Sequence, residues 1–418
     1  MRTLLLDSLP DFISGEGQFI TRDFKFELIT PMFGGDSKSW ELNLEAPVRA
    51  QSVKGQLRFW WRTMQNETDC TELLKKENAL WGGESGNDIR CKSKVILEVK
   101  NQTVSDKNTA KLNSNGTRLQ EGEIPAYVAF PVRDAIKNDK LTVYYVTKCR
   151  FTLRLSFPAV FEADVLKTLK LWTLLGGVGA RTRRGCGSLY CEELLSEFEG
   201  DDCIKQFINV DGDASQQSYC RLAGATLAVS SSQLGHSEPD KVWKRLINSY
   251  RDFRQSRKSD PKYGRSYWPE PDAIRRLTRY HSSMHAPTHP DGVWFPRAAF
   301  GLPIITQFNQ NINGNGDPEP IELKPENASR WPSPVIIKVI KLRSKLLNVV
   351  LLLNQEFPDG MELKYSKAAD RTRLNLIQPV PATAHPDNYS GKTMRTNDPL
   401  KGRSVHKALF DALGVKVI

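Results

Sequence analysis

The chain has 418 residues, long enough for two domains that could each bury a core. It is 39% hydrophobic and 26% charged, and no apolar run approaches the ~20 residues a bilayer span needs, so a soluble, cytoplasmic protein is expected. Its 59 lysines and arginines against 48 acids give a net charge of +11, which favours a polyanionic partner through counterion release.

Only three consecutive leucines precede Asp7, too few for a secretory signal. Seven cysteines lie between Cys70 and Cys220 without any C-x-x-C pair, which argues against a zinc ribbon or a disulfide framework and for reduced thiols.

In chain order, Phe24, Phe26 and Leu28 alternate with polar residues and stop at Pro31, predicting a strand. A helix is expected from about Ser52, its N-cap, to Gln65, and another near Thr71 to Leu80. Val95, Leu97 and Val99 alternate as a strand. Residues 100–122 are polar and read as a solvated insertion. Leu141 to Phe157 predicts one bent strand or a hairpin, Asp164 to Leu175 a helix, and Leu189–Tyr190 an extended path.

A new block begins near residue 223. Lys241 to Arg257 predicts a basic helix with Val242, Trp243, Leu246 and Tyr250 as its apolar stripe. Residues 258–292 show no helical or strand periodicity, 307–320 read as a loop, and Val335–Leu342 and Leu346–Leu353 read as strands. A short apolar end runs from Ala408 to Ile418. The expected class is α+β, in two domains, 1–222 and 223–418, and the first fits a split βαβ, ferredoxin-like order.

Two stretches carry chemistry. On a wheel of about 100° per residue, Val53, Leu57, Trp60 and Met64 form one stripe and Lys54, Arg58 and Arg62 a neighbouring one, with Trp61 on the seam. The row can grip phosphates while Trp61 stacks on a base; an amphipathic helix with a solvated basic side is the competing account. Gly55, costly in a helix, suggests that another backbone comes close. Phe59 projects off the core stripe, so something must cover it.

The second stretch, Gly176 to Gly187, packs Gly176, Gly177, Gly179, Gly185 and Gly187 around Arg181, Arg183 and Arg184. Glycines let main-chain N–H groups converge on an anion, and arginine adds a planar fork. The loop follows a helix and no G-K-[ST] closes it, so it fits neither dinucleotide nor mononucleotide motifs and no cofactor is expected. A helix C-cap accounts for one or two of the glycines but not for all five with three arginines.

Together these stretches resemble a known family. Lys54-Gly55-Gln56-Leu57-Arg58-Phe59-Trp60-Trp61-Arg62, after Thr30-Pro31 and Pro47-x-Arg49, resembles the start of the RAMP-superfamily subunit at the head of the type III-B CRISPR effector, the Cmr complex. The glycine loop resembles the RAMP signature, and Arg297 to Pro303 and Ser333-Pro334 resemble later landmarks. The resemblance implies two ferredoxin-like (RRM-like, βαββαβ) folds with loop insertions. It also implies a non-catalytic RNA-binding role in antiviral defence, at the guide RNA 3′ region and the target RNA. The implied partners are sister RAMP subunits and the repeated backbone subunit, which cleaves the target. Carried over by residue, Lys54, Arg58, Trp61, Arg62, Gly177, Gly179, Arg181, Arg183 and Arg184 bind RNA.

Two rivals stand beside this reading. His281, His285 and His289 are spaced by four, but Pro287 and Pro290 oppose a helix through them, and a polar surface loop is preferred to a metal site. A metal-independent endoribonuclease, as in related RAMP proteins, would use His281 or His285 near Arg275, Arg276 and Arg279 as acid or base. A purely structural assembly subunit would turn its basic faces to acidic neighbours. The stretch Lys258 to Trp268 (Lys262, Tyr263, Arg265, Tyr267, Trp268) reads equally as a second stacking platform or as a loop anchored by its aromatics.

Overall fold

The alternation in Phe24, Phe26 and Leu28 puts three apolar side chains on one face of β1 (Phe19–Leu28), and all three are buried. The computed structural model describes residues 18–36, 40–85, 89–116, 119–122, 124–215, 218–233, 238–257, 265–289, 292–308, 316–365, 377–389 and 398–418. After β1 come β2 (Met32–Phe33), α1 (Ala50–Thr63), α2 (Cys70–Trp81) and a small hairpin of β3 (Gly83–Ser85) and β4 (Ile89–Cys91). They are followed by β5 (Ile96–Thr109), α3 (Ala126–Lys137), β6 (Tyr144–Pro158), α4 (Glu162–Leu175), β7 (Leu189–Tyr190), α5 (Glu192–Leu195) and α6 (Asp201–Ile208).

The second half holds β8 (Arg221–Gln233), α7 (Pro239–Arg254), α8 (Glu270–Thr278), β9 (Ile304–Thr306), β10 (Ile321–Pro325), β11 (Val335–Lys341) and β12 (Lys345–Asn354). It closes with β13 (Met361–Tyr365), β14 (Ile377–Pro379), a helix labelled α9 (Val405–Ala412) and β15 (Lys416–Val417). The protein is of the α+β class.

The first sheet runs β5-β6-β1-β7, all antiparallel, and β2 continues the line of β1 beside the start of β6. The second runs β11-β12-β8-β15. In both, the chain passes strand, helix, strand, strand, helix, strand, with the first and third strands adjacent at the centre (α1 and α4 in one, α7 and α9 in the other). A further sheet, β14-β13-β10-β9, forms from the insertions of the second half. Its central strands escape sequence reading because each is only five residues long.

Two buried clusters draw on both halves of the chain, and a third, around Phe295, Leu323 and Leu363, lies within the second. Phe26, Trp60 and Trp172 pack in one buried cluster with Leu227, Val349 and Leu351 from β8 and β12. Phe33 and Val128 pack in another with Trp243 and Leu409.

Three expectations are corrected. The polar segment 100–122 is no insertion over its first part: β5 runs to Thr109 along β6, an edge strand that wets one face and so needs few large apolar residues. Within 258–292, Glu270–Thr278 is a helix that starts after Pro269 and buries Ala273, Ile274 and Arg275. Helix α1 begins at Ala50 rather than at Ser52, with Arg49 before it and no side-chain cap. Of the segments read as loops, residues 258–264 and 309–315 lie outside the described residues.

Candidate nucleic-acid interface

Helix α1 buries Val53, Leu57 and Trp60 as its stripe requires, and Met64 is half-buried. It also buries Trp61, only 4% exposed, so in this conformation that ring presents no face to a base. Gly55 is exposed and a side chain there would meet nothing within 4 Å, which removes the close backbone approach expected of it.

The basic row is held from the next helix. Buried Glu77 of α2 accepts Arg58 Nε and Arg62 Nη1, each at 2.5 Å, and Arg58 Nη1 donates to the Gly82 carbonyl at 3.0 Å. One carboxylate thus orders two guanidinium groups whose outer edges stay about one-third exposed. Lys54 makes no ion pair among the described residues. Partial burial and then the neighbouring Arg58 charge pull its ammonium below the usual lysine range.

The glycine loop packs against the segment after β1. Ala180 N donates to Phe33 O at 2.8 Å, Gly187 N to Pro31 O at 2.9 Å, and Thr30 Oγ1 to Gly185 O at 2.6 Å. Gly179 has φ +76°, and a Cβ on it would lie 2.8 Å from Phe33 O, so only glycine lets the two backbones meet. A cleft of about 50 Å³ is lined by Gly177 and Gly179 on one side and by Val48, Ser52 and Gln56, just before and along the start of α1, on the other.

The three arginines diverge. Arg184 Nη1 donates to Val335 O at 2.7 Å and Nη2 to Ser333 Oγ at 3.0 Å, while its guanidinium lies 5.0 Å over Tyr250. Arg183 donates to Ser333 O and lies 5.2 Å over Phe59, the covering that α1 called for. These two staple the loop to the second half. Arg181 is exposed, its guanidinium lies 4.6 Å over the Phe130 ring, and its side chain makes no hydrogen bond or ion pair among the described residues. Of the residues proposed from sequence, the structure brings α1 and the loop together, leaves Lys54 and Arg181 without an ion pair among the described residues, and buries Trp61.

The histidines form no metal cluster; among the described residues no group of three or more metal-ligating side chains exists. His281 is exposed. His285 Nδ1 meets Asp317 Oδ2 and His289 Nδ1 meets Asp272 Oδ2, both at 2.7 Å. Arg275 bridges the two carboxylates, with Nη1 to Asp272 at 3.0 Å and Nε to Asp317 at 2.9 Å. Burial pushes the Asp272 carboxyl up, but hydrogen bonds from the His289 ring and the Thr288 and His289 amides outweigh it and hold it well below the carboxylate range. We expect Asp272→Asn to cost about 3 kcal/mol in urea unfolding, because it strips charge from a buried network that keeps its cations; an unchanged midpoint would count against the network.

Trp268 is fully buried and donates from Nε1 to Phe253 O at 2.9 Å, and Arg265 is tied to Asp272 and to Ala286 O. Residues 265–268 are therefore an aromatic-anchored loop, while Lys262 and Tyr263 lie outside the described residues. Sequence reading missed Phe130, because Pro131 interrupts the helical pattern of α3 and the ring lies off the Val128–Val132–Ala135 stripe.

Residues 25–190, which span most of the first sheet, α1 and the glycine loop, match the RAMP superfamily model. The chain is homologous to the Cmr1 subunits of Pyrococcus furiosus. It is 28% identical to CRISPR system Cmr subunit Cmr1-1 over 199 residues, 46% of this chain and 55% of that one. It is 28% identical to Cmr1-2 over 192 residues, 41% of this chain and 95% of that one. The match thus spans about half the length of Cmr1-1. Among solved structures, the apo crystal structure of Pyrococcus furiosus Cmr1 covers 86% of this chain and 94% of its own at 19% identity, with a TM-score of 0.45. A chain of a type III-B Cmr-β complex bound to cognate target RNA and AMPPnP covers 81% and 96% at 14% identity, with a TM-score of 0.39. Neither score reaches the level at which a site can be transferred.

No helix among the described residues is long and apolar enough to cross a membrane.

Proposed function

We propose that this chain is a non-catalytic RNA-binding subunit of a type III-B CRISPR ribonucleoprotein of the Cmr kind. In this reading its halves, 1–222 and 223–418, are ferredoxin-like RAMP units that work in the cytoplasm. They engage the guide RNA 3′ region and target RNA beside sister RAMP subunits and the repeated backbone subunit. One observation carries the reading: the glycine–arginine loop and the basic helix α1, distant in sequence, lie together, with Arg183 over Phe59 and with Lys54 and Arg181 making no ion pair among the described residues. Homology to Cmr1 supports the assembly.

Filter binding with single-stranded RNA tests it. Affinity should fall with salt, with a log–log slope of about −4 if the six named cations each neutralise a phosphate, and about −1.4 if only Lys54 and Arg181 do. A slope near zero would favour an assembly role. Cleavage of the RNA in EDTA, lost in His281→Ala, would replace the reading with a ribonuclease.

A further inference from the structure

Burial of Trp61 removes the stacking ring from α1, yet the same interface exposes another. Phe130, on α3, is 53% exposed, and the Arg181 guanidinium covers it at 4.6 Å. A ring half open to water, under a cation that makes no ion pair among the described residues, offers a π-face and a positive charge together to one ligand.

Arg181 itself is held at φ +60°, ψ +30°, the left-handed region that a non-glycine residue enters at a cost. The loop has glycines on both sides, yet the strained position carries an arginine. Its guanidinium makes no ion pair among the described residues, so its charge is open to an incoming anion.

We propose that Phe130 and Arg181 form a stacking platform for an unpaired RNA base, with Arg181 gripping the adjoining phosphate. The proposal rests on the RNA-binding reading above and moves its aromatic contact from Trp61 to Phe130. A flanking protein subunit could also cover a phenyl ring, but an arginine over it that makes no ion pair among the described residues favours a phosphodiester, whose base supplies the second surface.

The test uses the full-length protein and a fluorescein-labelled single-stranded RNA, with anisotropy titrations across a salt series and a melting curve for every variant. Phe130→Ala is expected to weaken binding about ten-fold or more with an unchanged salt slope, since stacking releases no counterions. Phe130→Trp is expected to restore or tighten it. Arg181→Gly is expected to flatten the slope by about 0.7 per lost phosphate without lowering the melting temperature, because glycine relieves the left-handed backbone. A merely structural Arg181 would instead lower the melting temperature. If the wild type binds RNA with the expected salt dependence while Phe130→Ala binds equally well, the platform is wrong and the RNA-binding reading survives. If the wild type shows no salt-dependent binding, both fall.

Discussion

Gly187→Ala is expected to destabilise the protein by about 3–4 kcal/mol, adding a left-handed backbone penalty to overpacking. Gly187 has φ +65°, and a Cβ there would sit inside the Val178 carbonyl. Relaxation is blocked from both sides. Val178 N donates to Gly187 O at 3.0 Å, and Gly187 N donates to Pro31 O at 2.9 Å. The loop is thus a backbone weld between α4, the residues after β1 and the second half, and a methyl group pries at its centre. Gly55→Ala is the control, because it sits exposed with open space around it and should gain about 1 kcal/mol from helix propensity. Urea midpoints of the two variants should move in opposite directions from wild type. Equal midpoints for Gly187→Ala and wild type would mean that this packing does not hold.

The same packing gives the glycines a structural role that the sequence did not display. Five glycines beside three arginines look like an anion cradle, but a sequence does not display Phe33 O or Pro31 O waiting across the loop. Arg58 and Arg62 are a second instance: the wheel placed them correctly on one side, while Glu77, which orders both, arrives from a different helix. Trp61 fell on the seam because the wheel assumed one packed face, whereas α1 is flanked by both α2 and α4. Elements with a strong period were legible: α4 and α7 by their apolar stripes, β11 and β12 by continuous β-branched and leucine runs. Elements whose environment supplies the reason were not. β5 is polar because it is an edge, and α3 carries a proline at position 131. The equal strand order of the two sheets was expected for the first half from its elements alone, whereas β8 went unread and left the second half without its central strand.

Lys338→Met should flatten the pH dependence of stability between about pH 7 and 8.5, and the sign follows from linkage. Lys338 lies on β11, fully buried, and donates to Gly176 O at the start of the glycine loop. Burial lowers its ammonium from the ordinary 10.5 to about 7, with the nearby Cys186 opposing the shift. Above about 7, then, the folded chain has released a proton that the unfolded chain still holds, and stability rises with pH across that window. From pH 7 to 8.5 this one group should contribute roughly 1.5 kcal/mol of added stability. The window stops there because Cys186, pushed by burial from 9.0 to about 12, acts in the opposite sense once the unfolded thiol ionises. Methionine fills similar volume and cannot titrate, so its urea midpoint should be nearly flat where the wild type climbs. At pH 7 the variant should also be the more stable of the two, since removing a buried amine outweighs one hydrogen bond to a carbonyl. Parallel wild-type and variant curves would show that Lys338 keeps its proton on folding, and that the carbonyl of Gly176 solvates a full charge inside the weld.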